Sequence, residues 1–134
     1  MEINQITEKI IGCAYAVSNG LGVGFLEKVY ENALAHELRK SGLQVHQQFS
    51  ITVHYDNALV GEYAADLLVE NEVLVELKVA NNLDRIHEAQ CLNYLKATGK
   101  SICLLINFGK PKLQINRLAG NGLNNFLKEK SSIH

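Results

Sequence analysis

The sequence predicts an α/β (α+β) domain spanning residues 1–134, with a mixed central sheet flanked by helices. Three observations lead there. Two amphipathic helical patterns open the chain, and three alternating strand patterns follow as an antiparallel meander. A third helix then crosses over to a nearly all-apolar strand, Ile102 to Asn107, whose composition suits burial on both faces.

At 134 residues the chain is long enough to bury roughly two-thirds of its unfolded surface without staples. The net charge of −1 argues against a protein that coats nucleic acid non-specifically, because such affinity comes from neutralised phosphates. A small local basic groove is still compatible with it. Cys13, Cys91 and Cys103 sit far apart in apolar stretches and read as reduced core residues, which favours an intracellular setting. The N-terminus lacks a basic start followed by an apolar run, and no stretch is long enough to span a bilayer. The expected compartment is the cytoplasm, with no membrane partner.

In order, Ile3, Ile6, Ile10, Ala14 and Val17 recur at helical spacing, so residues 3–18 form an amphipathic helix ending at Asn19-Gly20. Gly20-Leu21-Gly22-Val23-Gly24 then joins two helices. A dinucleotide cradle would need a preceding strand, and here a helix precedes. The second helix runs from about Phe25 to Lys40 and stops at Ser41-Gly42, with Leu26, Val29, Tyr30, Ala33, Leu34 and Leu38 as its buried stripe. Glu27 lies at the edge of that stripe. Taken alone, it reads as an acid placed to suit the helix dipole.

Residues 44–55 alternate, Asp56-Asn57-Ala58 turns, and Leu59 to Val69 return as a second strand. A loop at 70–72 leads into a third strand, 73–79, and the apolar side of all three falls on odd positions. That loop length sets Asp66 opposite Glu76, where cross-strand Cβ atoms lie ~5 Å apart. Lys78, two residues beyond Glu76, shares their face. Like charges opposite each other destabilise a sheet unless a cation compensates them. A hard divalent ion with oxygen ligands fits that need, and a solvated polar face with an incidental Asp, Glu and Lys fits the pattern equally well.

After a polar loop at 80–84, Asp84 or Asn82 caps a helix from about Arg85 to Thr98, which Gly99 ends. His87, Gln90 and Tyr94 lie along one ridge of it. His87 reads first as a surface or capping residue. Gly99-Lys100-Ser101 resembles the close of a phosphate loop, but the required first glycine would fall at Tyr94 inside the helix. The buried strand 102–107 follows, then a turn at 109–112, a last strand 113–118 and a short helix 123–128.

These residues together resemble a known group. Asp66, nine residues, then Glu76-Leu77-Lys78 is similar to the signature of the PD-(D/E)xK nuclease superfamily, with Ala65 where that signature has proline. Gly24-Phe25-Leu26-Glu27-Lys28-Val29-Tyr30 resembles the name-giving motif of the GxxExxY family within it. Gln90 and Tyr94 resemble the glutamine–tyrosine motif of its exonuclease-type branch. The resemblance covers about Ile6 to Arg117. It implies a restriction-endonuclease-like core and a Mg²⁺- or Mn²⁺-dependent nuclease acting on DNA, with RNA as the alternative substrate.

By that resemblance, Asp66, Glu76, the backbone carbonyl of Leu77 and Glu27 hold the ion, and Lys78 orients the attacking water or stabilises phosphoryl charge. Gln90 and Tyr94 position Lys78, the phosphate or the substrate backbone. Two other functions remain compatible with the same residues. One is a catalytically silent nucleic-acid-binding or assembly module, and the other a metal-dependent phosphodiesterase on a small substrate. With no clear basic stripe, a bare domain of this kind is expected to bind weakly or to work as a homo-oligomer or with a partner protein.

Overall fold

A computed structural model describes residues 1–120. In chain order it contains α1 (Ile3–Leu21), α2 (Glu27–Lys40), β1 (Val45–Tyr55), β2 (Ala58–Val69), β3 (Val73–Lys78), α3 (Arg85–Thr98), β4 (Ile102–Asn107) and β5 (Gln114–Ala119). The expected helix at 123–128 lies outside the described residues. No helix among those described is long and apolar enough to cross a membrane.

The strands form one sheet in the order β1-β2-β3-β4-β5. Neighbours are antiparallel except β3 and β4, which run parallel because α3 carries the chain back between them. Each face of the sheet is covered. Ile6, Ile10, Ala14, Tyr30, Leu34 and Leu38 of α1 and α2 pack on Leu67, Val69, Val75, Leu77 and Leu104. On the other side, Cys91, Tyr94 and Leu95 of α3 meet Ile51, Ala65, Leu68, Leu74 and Leu105. β4 therefore lies between both layers with all six residues buried, as its unbroken apolar run requires.

Local chemistry accounts for most boundaries. Asp84 caps α3 by accepting the backbone N–H groups of Ile86 and His87, and Gly99 closes that helix in the left-handed conformation. α1 runs past Asn19-Gly20 to Leu21, and it is Gly22, at φ 71°, that ends it.

Three expectations require correction. α2 begins at Glu27, two residues later than its apolar spacing implies, and Leu26 is 80% exposed instead of buried. Val29 is exposed as well. The cause is Tyr30, whose hydroxyl donates to the Gly22 carbonyl at 2.6 Å and accepts the Phe25 N–H at 3.3 Å, holding the connection extended up to Leu26. Its ring stacks on Phe108 at 4.8 Å between centroids, so the start of α2 is anchored beside the end of β4.

Secondly, the apolar side of the meander does not stay on odd positions. Ala65 packs in the α3 layer, whereas Leu67 and Val69 pack in the α1/α2 layer. The switch falls where Gln48, at φ 53°, stands opposite Asp66, between the pairs Gln47↔Leu67 and Phe49↔Ala65. A left-handed residue within a strand rotates the chain and re-aims its side chains. Thirdly, Val79 is exposed because β3 ends at Lys78.

Candidate active site

The site grows out of the β2/β3 hairpin. Its ladder runs Val69↔Val73, Leu68↔Leu74 and Leu67↔Val75, so Asp66 and Glu76 stand in the next register position, as the loop length predicts. There the backbone ladder stops and the two carboxylates replace it. The Asp66 N–H donates to Glu76 Oε1 at 2.9 Å, and the Leu77 N–H donates to Asp66 Oδ2 at 2.8 Å. Each acid thus holds the main chain of the opposite strand. The N–H and C=O of one strand residue point to the same side, so the Leu77 carbonyl faces the same opening as its N–H.

Asp66 is held at its other oxygen too. Gln48 Nε2 donates to Asp66 Oδ1 at 3.2 Å and to Glu31 Oε1 at 2.7 Å. Glu31 is only 3% exposed and also receives Gln47 Nε2 at 2.8 Å and the Lys28 ammonium at 3.0 Å. A buried carboxylate with three donors is a stable anchor, because its lone pairs are satisfied.

Electrostatics mark the same spot. Burial pushes the Glu76 carboxyl up to about 8, and the neighbouring charge of Asp66 adds to that rise. Burial likewise raises Asp66, against the hydrogen bonds from Leu77 and Gln48. Glu27, on the first turn of α2 with its side chain largely in solvent, is raised by partial burial of its carboxylate and then by Asp66. Lys78 acts on all three in the opposite sense. Yet among the described residues no cation lies within ion-pair distance of Glu27, Asp66 or Glu76. Lys78 offsets their mutual repulsion only through space, without a bond to any of them.

On the α3 side, the Lys78 ammonium donates to Gln90 Oε1 at 3.4 Å. Tyr94 is buried, and its hydroxyl is pushed up to about 12 by that burial and by the charges of Glu76 and Asp66. It stays protonated across the physiological range, so its O–H is available as a donor. His87 is the capping residue its position implied, with Nδ1 accepting the Asp84 N–H at 3.2 Å.

Asp66, Glu76 and Leu77 are thus joined by direct hydrogen bonds, Lys78 is bonded separately to Gln90, and Glu27 and Tyr94 lie closely enough to feel the charge of the acids. Sequence reasoning overlooked Glu31 and Gln48. Glu31 sits one helical turn after Glu27, but Gln48 comes opposite Asp66 only through the register shift between Val53 and His54, and no spacing within α2 or β1 brings the two together.

The donor set fits a hard divalent ion. No three His, Cys, Asp or Glu side chains among the described residues converge to hold a metal by themselves. Magnesium does not need them to, since it binds through one or two carboxylates and keeps several waters. Two carboxylates flanking an open strand gap, with no protein cation paired to them, match that requirement.

Comparison with known proteins gives the family and the fold. A family model for the PD-(D/E)XK nuclease superfamily matches residues 4–118. The chain belongs to the PD-(D/E)XK nuclease superfamily. No curated protein matches it. Among solved structures, this superfamily member is similar in fold to an alkaline exonuclease from Laribacter hongkongensis, with a TM-score of 0.50 at 13% identity over 95% of this chain and 89% of that one. It is also similar to the protein SSO0001, with a TM-score of 0.53 at 13% identity over 98% of this chain and 68% of that one.

Proposed function

We propose that this superfamily member is a divalent-metal-dependent nuclease of the GxxExxY type, hydrolysing phosphodiester bonds of DNA, with RNA as the alternative substrate, in the cytoplasm. One observation carries the reading. Asp66 and Glu76 stand together in the unpaired end of the β2/β3 ladder with no cation among the described residues bonded to them, while Lys78 lies near enough to act on both through space.

Asp66, Glu76 and the Leu77 carbonyl would be the direct oxygen donors for Mg²⁺ or Mn²⁺, with Glu27 reaching the ion through a water. Bound there, the ion supplies polarisation of the scissile phosphate and a lowered pKa for its water. The chain's own groups do the rest. The Lys78 ammonium, steadied by Gln90 Oε1, orients the attacking water and offsets negative charge that grows on the phosphoryl oxygens. The Tyr94 hydroxyl donates to a phosphate oxygen or to the substrate backbone. Gln48 and Glu31 keep the Asp66 carboxylate turned toward the gap.

Cleavage of a labelled oligonucleotide, single- or double-stranded, is expected with Mg²⁺ or Mn²⁺ and not with a chelator present. Asp66→Ala, Glu76→Ala and Lys78→Ala are each expected to lower it about 100-fold or more while the far-UV circular dichroism is retained. Salt-sensitive binding with no cleavage in any metal would point to a silent binding module instead. Turnover of a small phosphodiester but not of polynucleotide would point to a different hydrolase.

A further inference from the structure

β2 pairs with β3 only over Leu67–Val69, but with β1 along almost its whole length. The outer part of the β1/β2 hairpin therefore projects past the rest of the sheet as an arm. It closes in a two-residue turn, Asp56-Asn57, both in the left-handed conformation that suits a tight hairpin. α3 lies along one face of this arm, and between them runs a groove of about 1200 Å³. Val53, Tyr55 and Tyr63 line it from the arm, and Ile86, Gln90 and Tyr94 line it from the helix.

We propose that this groove binds a single-stranded stretch of nucleic acid, with bases stacked on its aromatic and apolar wall, and delivers the strand to the site at Asp66 and Glu76. The proposal rests on the nuclease reading above and adds the substrate class. Three observations support it.

The groove is continuous with the site, since Gln90 and Tyr94 belong to both. Gln90 accepts from Lys78, and Tyr94 stands 5.8 Å from Tyr63 between ring centroids. Its lining includes Lys96 and His54 but no aspartate or glutamate, so no acid stands in the wall against a phosphate chain. It also holds large apolar groups open to solvent, with Tyr55 76% and Ile86 77% exposed and Tyr63 half-exposed. The Tyr63 ring lies across Gly61, where an added Cβ would come within 3.1 Å of it, so the strand is shaped to seat that ring.

The charge count selects the single strand over the duplex. Duplex affinity comes mainly from neutralising phosphates on both strands, and one lysine in the groove supplies little of that. Stacking on aromatic faces needs splayed bases, and each such contact changes affinity about 5- to 150-fold.

Binding of a fluorescent oligothymidylate of about 10 nucleotides, followed by anisotropy in chelator on the full chain, tests this. Tyr63→Ala and Tyr55→Ala are each expected to weaken binding about 10-fold, Tyr63→Phe to restore it, and a duplex of the same length to bind more weakly than the single strand. Unchanged affinity in both alanine variants overturns the proposal, as does a wild-type chain that binds no oligonucleotide. So does sedimentation showing a dimer that Ile86→Glu dissociates, because the groove is then an interface between copies. The two readings separate cleanly. Loss of stacking-dependent binding in the variants, with no cleavage by the wild type in any metal, keeps the groove and removes the nuclease. Metal-dependent cleavage abolished by Asp66→Ala, with Tyr63→Ala and Tyr55→Ala binding normally, does the reverse.

Discussion

Asp66 has both carboxylate oxygens engaged before any ion arrives, Oδ2 by the Leu77 N–H and Oδ1 by Gln48. Such partners fix the direction of a ligand's lone pairs, and losing one typically weakens metal binding about 10- to 100-fold. Gln48→Ala is therefore expected to weaken Mn²⁺ binding by that factor in titration calorimetry, with a stability loss of about 1–3 kcal/mol, since the buried Glu31 Oε1 also loses its donor. Equal Mn²⁺ affinity in the variant would show that Leu77 alone orients the acid. The two strand acids were readable from sequence because hairpin parity and loop length determine which residues face each other. Gln48 and Glu31 were not, because their bond depends on how α2 lies against β1, and no spacing within either element encodes that.

At the scale of elements, the segment after Lys78 is clamped at Ala80 by one side chain. Asn107 is fully buried, and its amide uses both ends. Oδ1 accepts the N–H groups of Ala80 and Gly109, and Nδ2 donates to the Ala80 carbonyl and Gln114 Oε1. Gly109 packs so closely that a Cβ there would stand 2.5 Å from the backbone of Ala80. Asn107→Ala takes the side-chain partner from three backbone groups, the Ala80 N–H and carbonyl and the Gly109 N–H, and is expected to cost about 2–4 kcal/mol in urea unfolding. Cleavage should fall further than the loss of folded protein explains, because Lys78 sits two residues from the clamp. A stability change below about 0.5 kcal/mol would rule the clamp out. Elements whose ends are set by neighbouring residues, such as α3 between Asp84 and Gly99, were legible. The start of α2 was not, because a tyrosine hydroxyl eight residues from its acceptor decides it. Nor was the face switch at Gln48, since a left-handed glutamine leaves no mark in an alternating pattern.

For the whole molecule, the acids at the site tie folding to pH and to metal. Glu76 rises from 4.5 to about 8, and Asp66 and Glu27 also move upward. A carboxylate raised on folding binds its proton more tightly in the native state, so its stabilisation is full below the unfolded pKa and is lost as pH climbs through the folded one. The metal-free protein is therefore expected to lose stability between about pH 4.5 and pH 8 relative to a Glu76→Gln variant, by about 2–5 kcal/mol at the upper end. A divalent ion acts in the opposite direction, because it needs the deprotonated acids that high pH supplies. At a hundredfold excess over its dissociation constant it adds about 2.7 kcal/mol, and only to the native state. Melting curves from about pH 5 to pH 9, in chelator and in Mg²⁺, should thus diverge with rising pH for the wild type. They should stay much closer together for Glu76→Gln, which gives up the charge and with it most of the ion. Parallel wild-type curves at every pH would mean that the strand acids neither repel one another nor hold a metal. The ladder gap would then be a structural feature of the hairpin alone.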